Sequence, residues 1–251
     1  MSAIVFSGYP DAAAAAAGRS AEIIQVLIAE LVPASPYVPF VTMAASAVYA
    51  LGTLITIYFF FEKTHSVEIL FFVFFALSLS FETARIIAPF CYAAGFPQVY
   101  MVIAARFLLF GRCFGVFSLF TASIYAAGMQ MQKQSSIILV MITAGLIIAL
   151  GIPIDGFSWD SSLAMVSGYS GAIRLVEFIL TLISAAGFFV AAWSRASKEY
   201  VFVGIGSVLV LIGRNLLINA DNWVTPLPGL LLLVAGTYLI CSQLHKVYLW
   251  L

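Results

Sequence analysis

Arg106 and Arg112 lie within the stretch IAARFLLFGRCFGVFSLFTASIY, an otherwise apolar run long enough to cross a bilayer. A guanidinium near the middle of a membrane costs about 2.5 kcal/mol or more unless it pairs, snorkels or faces water. Three other apolar stretches carry charges of the same kind. Glu82 and Arg85 stand three residues apart in one and Arg174 and Glu177 three apart in another, while Arg214, Asn215, Asn219 and Asp221 crowd the end of a third. Two chemistries suit these residue types. Unpaired guanidiniums present planar forks matched to carboxylate or phosphate and could line a site for an anion. Alternatively, Arg–Glu pairs and Asn amides could close a network that holds helices in register and binds nothing.

The elements that must position these groups follow from composition. Of the 251 residues, 63% are hydrophobic and only 9% charged, with a mean hydropathy of +1.10, which is the range of polytopic membrane proteins. The apolar runs are continuous, where barrel strands would alternate, so the fold class is all-α. At ~20 apolar residues per crossing, the chain holds a bundle of seven transmembrane helices and no separate soluble domain. The spans are expected at about 38–61, 67–91, 99–126, 136–154, 170–193, 200–220 and 227–248. Residues 37–251 then form the membrane domain. Residues 1–36 form an N-terminal segment in which AEIIQVLIAELV has the spacing of a short amphipathic interfacial helix.

Lys63, Lys133, Lys198 with Arg195, and Lys246 fall in four connections or tails on one predicted face. The three loops on the other face carry no lysine or arginine, and Asp11, Asp155, Asp160 and Asp221 fall on that side. By the positive-inside rule the N-terminus is outside and the C-terminus cytoplasmic. Trp159 and Trp223 then mark the outer boundary, with Trp193 and Trp250 at the inner one. The expected location is the cell (inner) membrane.

With this orientation Glu82 and Arg85, Arg106, Arg174 and Glu177, and Arg214 with Asn215 and Asn219 share one depth in the outer half. Arg112 lies deeper, near the midplane, and about 120° around the helix from Arg106. Such a layer should face the bundle interior or an outward-opening cavity. Arg106, Arg174 and Arg214 are the expected ligand contacts, with Glu82, Glu177 and Asn215 orienting them. Gly111 and Gly115, and Gly204, Gly206 and Gly213, read as close-packing positions. The run FFVFFALSLSF reads as a lipid-facing and packing surface, and His65 and His245 as interfacial residues.

The seven-helix layout is similar to that of microbial rhodopsins, but LPGLLLLVAGTYLICSQL, the last helix, has no lysine to carry retinal. Pro97-Gln98 resembles the PQ-loop dipeptide, yet occurs once and in a loop. Two histidines cannot supply the zinc site of the seven-helix membrane hydrolases. There is no GxSxG or HExxH, and Cys91, Cys113 and Cys241 are widely spaced, so neither a catalytic set, a metal site nor a cofactor is indicated. The expected function is that of a receptor or transport component with an outward-facing, Arg-rich site for a small anionic or lipid head-group ligand. The alternative is a non-catalytic assembly subunit whose charge layer is internally satisfied. Expected partners are the lipid bilayer, a small anion, and a partner membrane protein or cytoplasmic output protein. Nucleic acid is not among them.

Overall fold

A segment can cross lipid only if its backbone polar groups are satisfied internally, which a long apolar helix achieves. The computed structural model describes residues 35–61, 66–128, 134–154, 160, 162–165 and 168–249. The described elements are helical: α1 (Val38–Phe61), α2 (Val67–Ser80), a 3-10 segment (Phe81–Ile86), α3 (Ile87–Ala93), α4 (Gln98–Ala126), α5 (Gln134–Gly151), α6 (Ser170–Ser194), α7 (Glu199–Ile218) and α8 (Pro226–Leu249). With α2, the 3-10 segment and α3 joined end to end, seven stretches are long and apolar enough to span a membrane. The chain is an integral membrane protein. The expected span limits agree with these elements to within three residues. The expected amphipathic N-terminal helix lies outside the described residues, as do His65, Lys63, Lys133, Asp155, Trp159 and Trp250.

The amide of Ser35 donates to the carbonyl of Asp221 at 3.2 Å. The start of α1 and the exit of α7 therefore share one end of the bundle, here termed N-proximal. The C-terminal ends of α1, α4 and α6 lie at the opposite, C-proximal end.

Helix α4 sits against α2, the 3-10 segment, α3, α5 and α6. Its approach to the second span requires glycine: a Cβ on Gly111 would lie 2.4 Å from Phe81 Cβ, and one on Gly115 would lie 2.2 Å from Ser78 Oγ. Between α7 and α8 a Cβ on Gly213 would meet the Gly229 carbonyl at 2.7 Å, so here too small residues let the backbones close.

The packing half of the reading of the phenylalanine run holds: Phe71, Phe72 and Phe75 are at most 2% exposed, while Leu77 is exposed. The second span is enclosed by α1 and α4, so its aromatics pack inward, with Phe71 stacked on Tyr125 at 5.3 Å. Lipid-facing bulk comes instead from α1, α5 and α6, where Val48, Ile55, Ile147 and Phe178 are exposed.

The second span is not a continuous α-helix. Ser78, Ser80 and Thr83 hydroxyls donate to the carbonyls three residues back, of Phe75, Leu77 and Ser80, at 2.6, 2.7 and 2.7 Å. Hydroxyls that bond the preceding turn perturb the helical ladder, and here the chain tightens into 3-10 geometry from Phe81 to Ile86.

Candidate functional site

The tightened turn carries Glu82 and Arg85. In a 3-10 helix residues three apart are eclipsed, so the two side chains lie directly over one another. Arg85 Nε donates to Glu82 Oε2 at 2.6 Å, and Arg85 Nη2 donates to the same oxygen. Both side chains are almost fully buried. The remaining donor, Nη1, reaches the carbonyls of Ser162 at 3.3 Å and Ile218 at 3.1 Å. One guanidinium thus ties the second span to the end of α7 and to the segment around Ser162.

Glu82 receives a second guanidinium from α4. Arg112 Nε donates to Oε1 at 2.9 Å and Nη2 to Oε2 at 3.1 Å. A third, Arg214 of α7, is buried to 2% exposure, donates to the Arg112 carbonyl at 3.0 Å and lies 3.5 Å from Glu177 Oε1 of α6. The connected group is therefore Arg85, Glu82, Arg112, Arg214 and Glu177, drawn from four spans. In it three guanidiniums share two carboxylates, leaving positive charge inside a hydrophobic bundle.

Of the three guanidiniums Arg112 is the partly exposed one, with its side chain 21% exposed; Glu177 is 20% exposed. It lines a small cavity of about 40 Å³ with Leu108, Leu109, Ile154, Ala164 and Met165. A void of that size has room for a few water molecules or an ion of similar bulk.

The other sequence-predicted residues are not in this group. Arg106 is half-buried and among the described residues its Nε has no hydrogen-bond partner, but it does not line the cavity beside Arg112. Arg174 is exposed near the start of α6. Asn215 follows Arg214 directly and so points about 100° away from it. Asn215 and Asn219 are exposed, Asn219 Nδ2 donates to the Asn215 carbonyl at 3.0 Å, and both line a shallow groove with Ile212, Leu216 and Thr225. Two pairings cross between spans: Glu177, expected to pair locally with Arg174, makes an ion pair with Arg214 of α7, and Arg112, expected deeper than the layer, shares Glu82 with Arg85.

A second polar cluster, near the C-proximal end, was not singled out from sequence. Glu68 is 3% exposed. It accepts hydrogen bonds from Ser66 Oγ at 3.1 Å, Tyr200 Oη at 3.5 Å and Tyr248 Oη. Arg195 Nη1 donates to Tyr200 Oη at 2.9 Å, and the guanidinium stands 5.0 Å from the centre of the same ring. The signal hid in plain view: an acidic residue in a first helical turn, behind an N-cap serine that accepts from the Ile69 amide at 3.3 Å, reads as ordinary capping.

Among the described residues no group of three or more His, Cys, Asp or Glu could hold a metal ion. No family model and no solved structure matches the chain. A protein of Treponema pallidum (strain Nichols), described as uncharacterized, is 20% identical over an alignment that covers 76% of this chain and 69% of that protein. That similarity is too low to show a family, and it carries no activity with it.

Proposed function

We propose that the chain is a membrane receptor or transport component whose Arg-rich site, centred on Arg112, takes a small anion from the outer side. The observation that supports this reading is the charge imbalance: three guanidiniums share two carboxylates, and the partly exposed one borders a cavity. An anion there would offset the surplus charge in a setting where its attraction is little screened. The cavity of about 40 Å³ favours a halide or a one-carbon carboxylate. A larger ligand requires movement of the segment that the Arg85 bond to the Ser162 carbonyl holds in place. In this reading the N-proximal end is outside and the C-proximal end cytoplasmic, an orientation supported by Arg195, Lys198 and Lys246 at the latter.

One observation favours the alternative, an assembly subunit with a closed charge layer. Both oxygens of Glu82 are already occupied by guanidinium donors. The two readings separate by calorimetric titration of the detergent-purified protein with formate, chloride and citrate at constant ionic strength. The receptor or transport reading expects formate or chloride to bind, citrate to bind more weakly, and Arg112→Lys, which keeps the charge but loses the fork, to weaken binding. Absence of any anion binding to the folded protein supports the assembly reading. Counterflow in proteoliposomes then distinguishes a transport component from a receptor.

A further inference from the structure

Helices α1 and α8 touch near Tyr49, whose hydroxyl is hydrogen-bonded to that of Thr237. Toward the C-proximal end, where the His245 ring of α8 meets Phe61 of α1 again, they line a cavity of about 620 Å³. From Tyr49 to Phe61 it follows α1 for about 18 Å at ~1.5 Å per residue, comparable to half of the ~30 Å hydrocarbon core of a bilayer. Phe60 and Tyr238, which border it, are 67% and 72% exposed, so the groove opens sideways, where lipid lies.

Its hydroxyls are largely spoken for. Thr56 donates to the Gly52 carbonyl at 2.7 Å, Thr237 to that of Leu233 at 2.8 Å and Ser242 to that of Leu239 at 3.2 Å. The walls therefore behave as apolar along most of their length. Among the described residues that line it, charge enters at the C-proximal end, through Lys246, beside half-buried His245, whose ring stands edge-on to Phe61 at 5.6 Å. Lys246 forms no ion pair within 4 Å among the described residues, and Glu199, the carboxylate whose charge it feels, accepts from Ser197 Oγ at 2.6 Å.

A one-leaflet-long apolar slot, open to lipid and ending at an exposed cation, has the shape and charge of an amphiphile site. We infer that the groove between α1 and α8 holds one acyl chain of an anionic phospholipid, with the lipid phosphate at Lys246 and His245. Basic pockets between membrane helices recognise anionic head groups in this way.

The test is native mass spectrometry of the full chain released from mixed micelles holding equal amounts of phosphatidylglycerol and phosphatidylcholine. Wild type should retain phosphatidylglycerol preferentially. Lys246→Gln should lower that preference about fivefold, the factor that corresponds to the roughly 1 kcal/mol one cation supplies near an anionic lipid. A Cβ on Gly52 meets nothing within 4 Å, so Gly52→Phe fills the groove without a backbone clash and should abolish retention, with Gly52→Leu as the smaller plug if the ring prevents folding. Equal retention of the two lipids, a preference unchanged in Lys246→Gln, or phosphatidylglycerol still held by the plugged variant overturns the inference. So does a groove that excludes lipid because residues 1–34 or a second copy covers it.

Discussion

Glu82 and Arg112, thirty residues apart, meet fork to fork: Nε lies 2.9 Å from one carboxylate oxygen and Nη2 lies 3.1 Å from the other. The carboxylate belongs to a 3-10 turn and the guanidinium to the helix packed against that turn through Gly111. Backbone tightening, close packing and charge pairing therefore act at one level of the bundle.

The shared carboxylate makes the pair unequal. Glu82→Gln leaves both Arg85 and Arg112 without their carboxylate and should destabilise the protein by about 3–5 kcal/mol, the usual result of breaking a buried pair. Arg112→Gln should cost less, because Glu82 keeps Arg85 and the lost side chain was partly exposed. Unfolding midpoints in a mild detergent check the order. Equal losses would mean that Arg85 alone does not satisfy Glu82.

Packing at the 3-10 turn has its own signature. Gly111→Ala must displace Phe81 and should cost about 1–3 kcal/mol, as overpacking does. Gly52→Ala, with open space around its Cβ, should stabilise by roughly 0.5–1 kcal/mol through helix propensity. The same unfolding assay reads both.

The Glu68 cluster should be held mainly by Tyr248. Tyr248→Phe removes a hydroxyl donor from a buried carboxyl group and should cost about 1.5–3 kcal/mol. At Tyr200 the bond to Glu68 is longer, 3.5 Å, so its loss should cost less on that side. A double-mutant cycle of wild type, Tyr248→Phe, Glu68→Gln and the double variant isolates the coupling.

Asn215 and Asn219 provide the negative control. Both are exposed and outside the connected charge group. Asn215→Ala should change stability by no more than about 0.5 kcal/mol and leave anion binding unaltered. A loss of binding there would draw the shallow groove on α7 into the site.

The span limits and the existence of a buried charge layer were legible in the sequence, because hydropathy over twenty residues and charge within it are local properties. Which charges meet was not. The pairing of Glu82 with Arg112, or of Glu177 with Arg214, depends on how helices far apart in the chain are rotated and tilted. The 3-10 turn was hidden as well, since Ser78, Ser80 and Thr83 are compatible with an unbroken helix until their hydroxyls choose the preceding carbonyls. Adjacency misled at Asn215, because one step along a helix turns a side chain out of the group. That the phenylalanine run packs was legible, but how much of it faces lipid was not, because a lipid-facing and a core-facing aromatic look alike without knowing which helices cover them.

Thermal unfolding of the purified protein across anions of increasing size, at fixed ionic strength, tests the anion-site reading most directly. A small anion at 100 times its dissociation constant should add about 2.7 kcal/mol of stability. Formate or chloride is expected to raise the unfolding midpoint, citrate to do so far less, and Arg112→Lys to blunt the response. A folded wild-type protein whose midpoint is indifferent to anion identity would contradict the account and leave the charge layer as an internal brace.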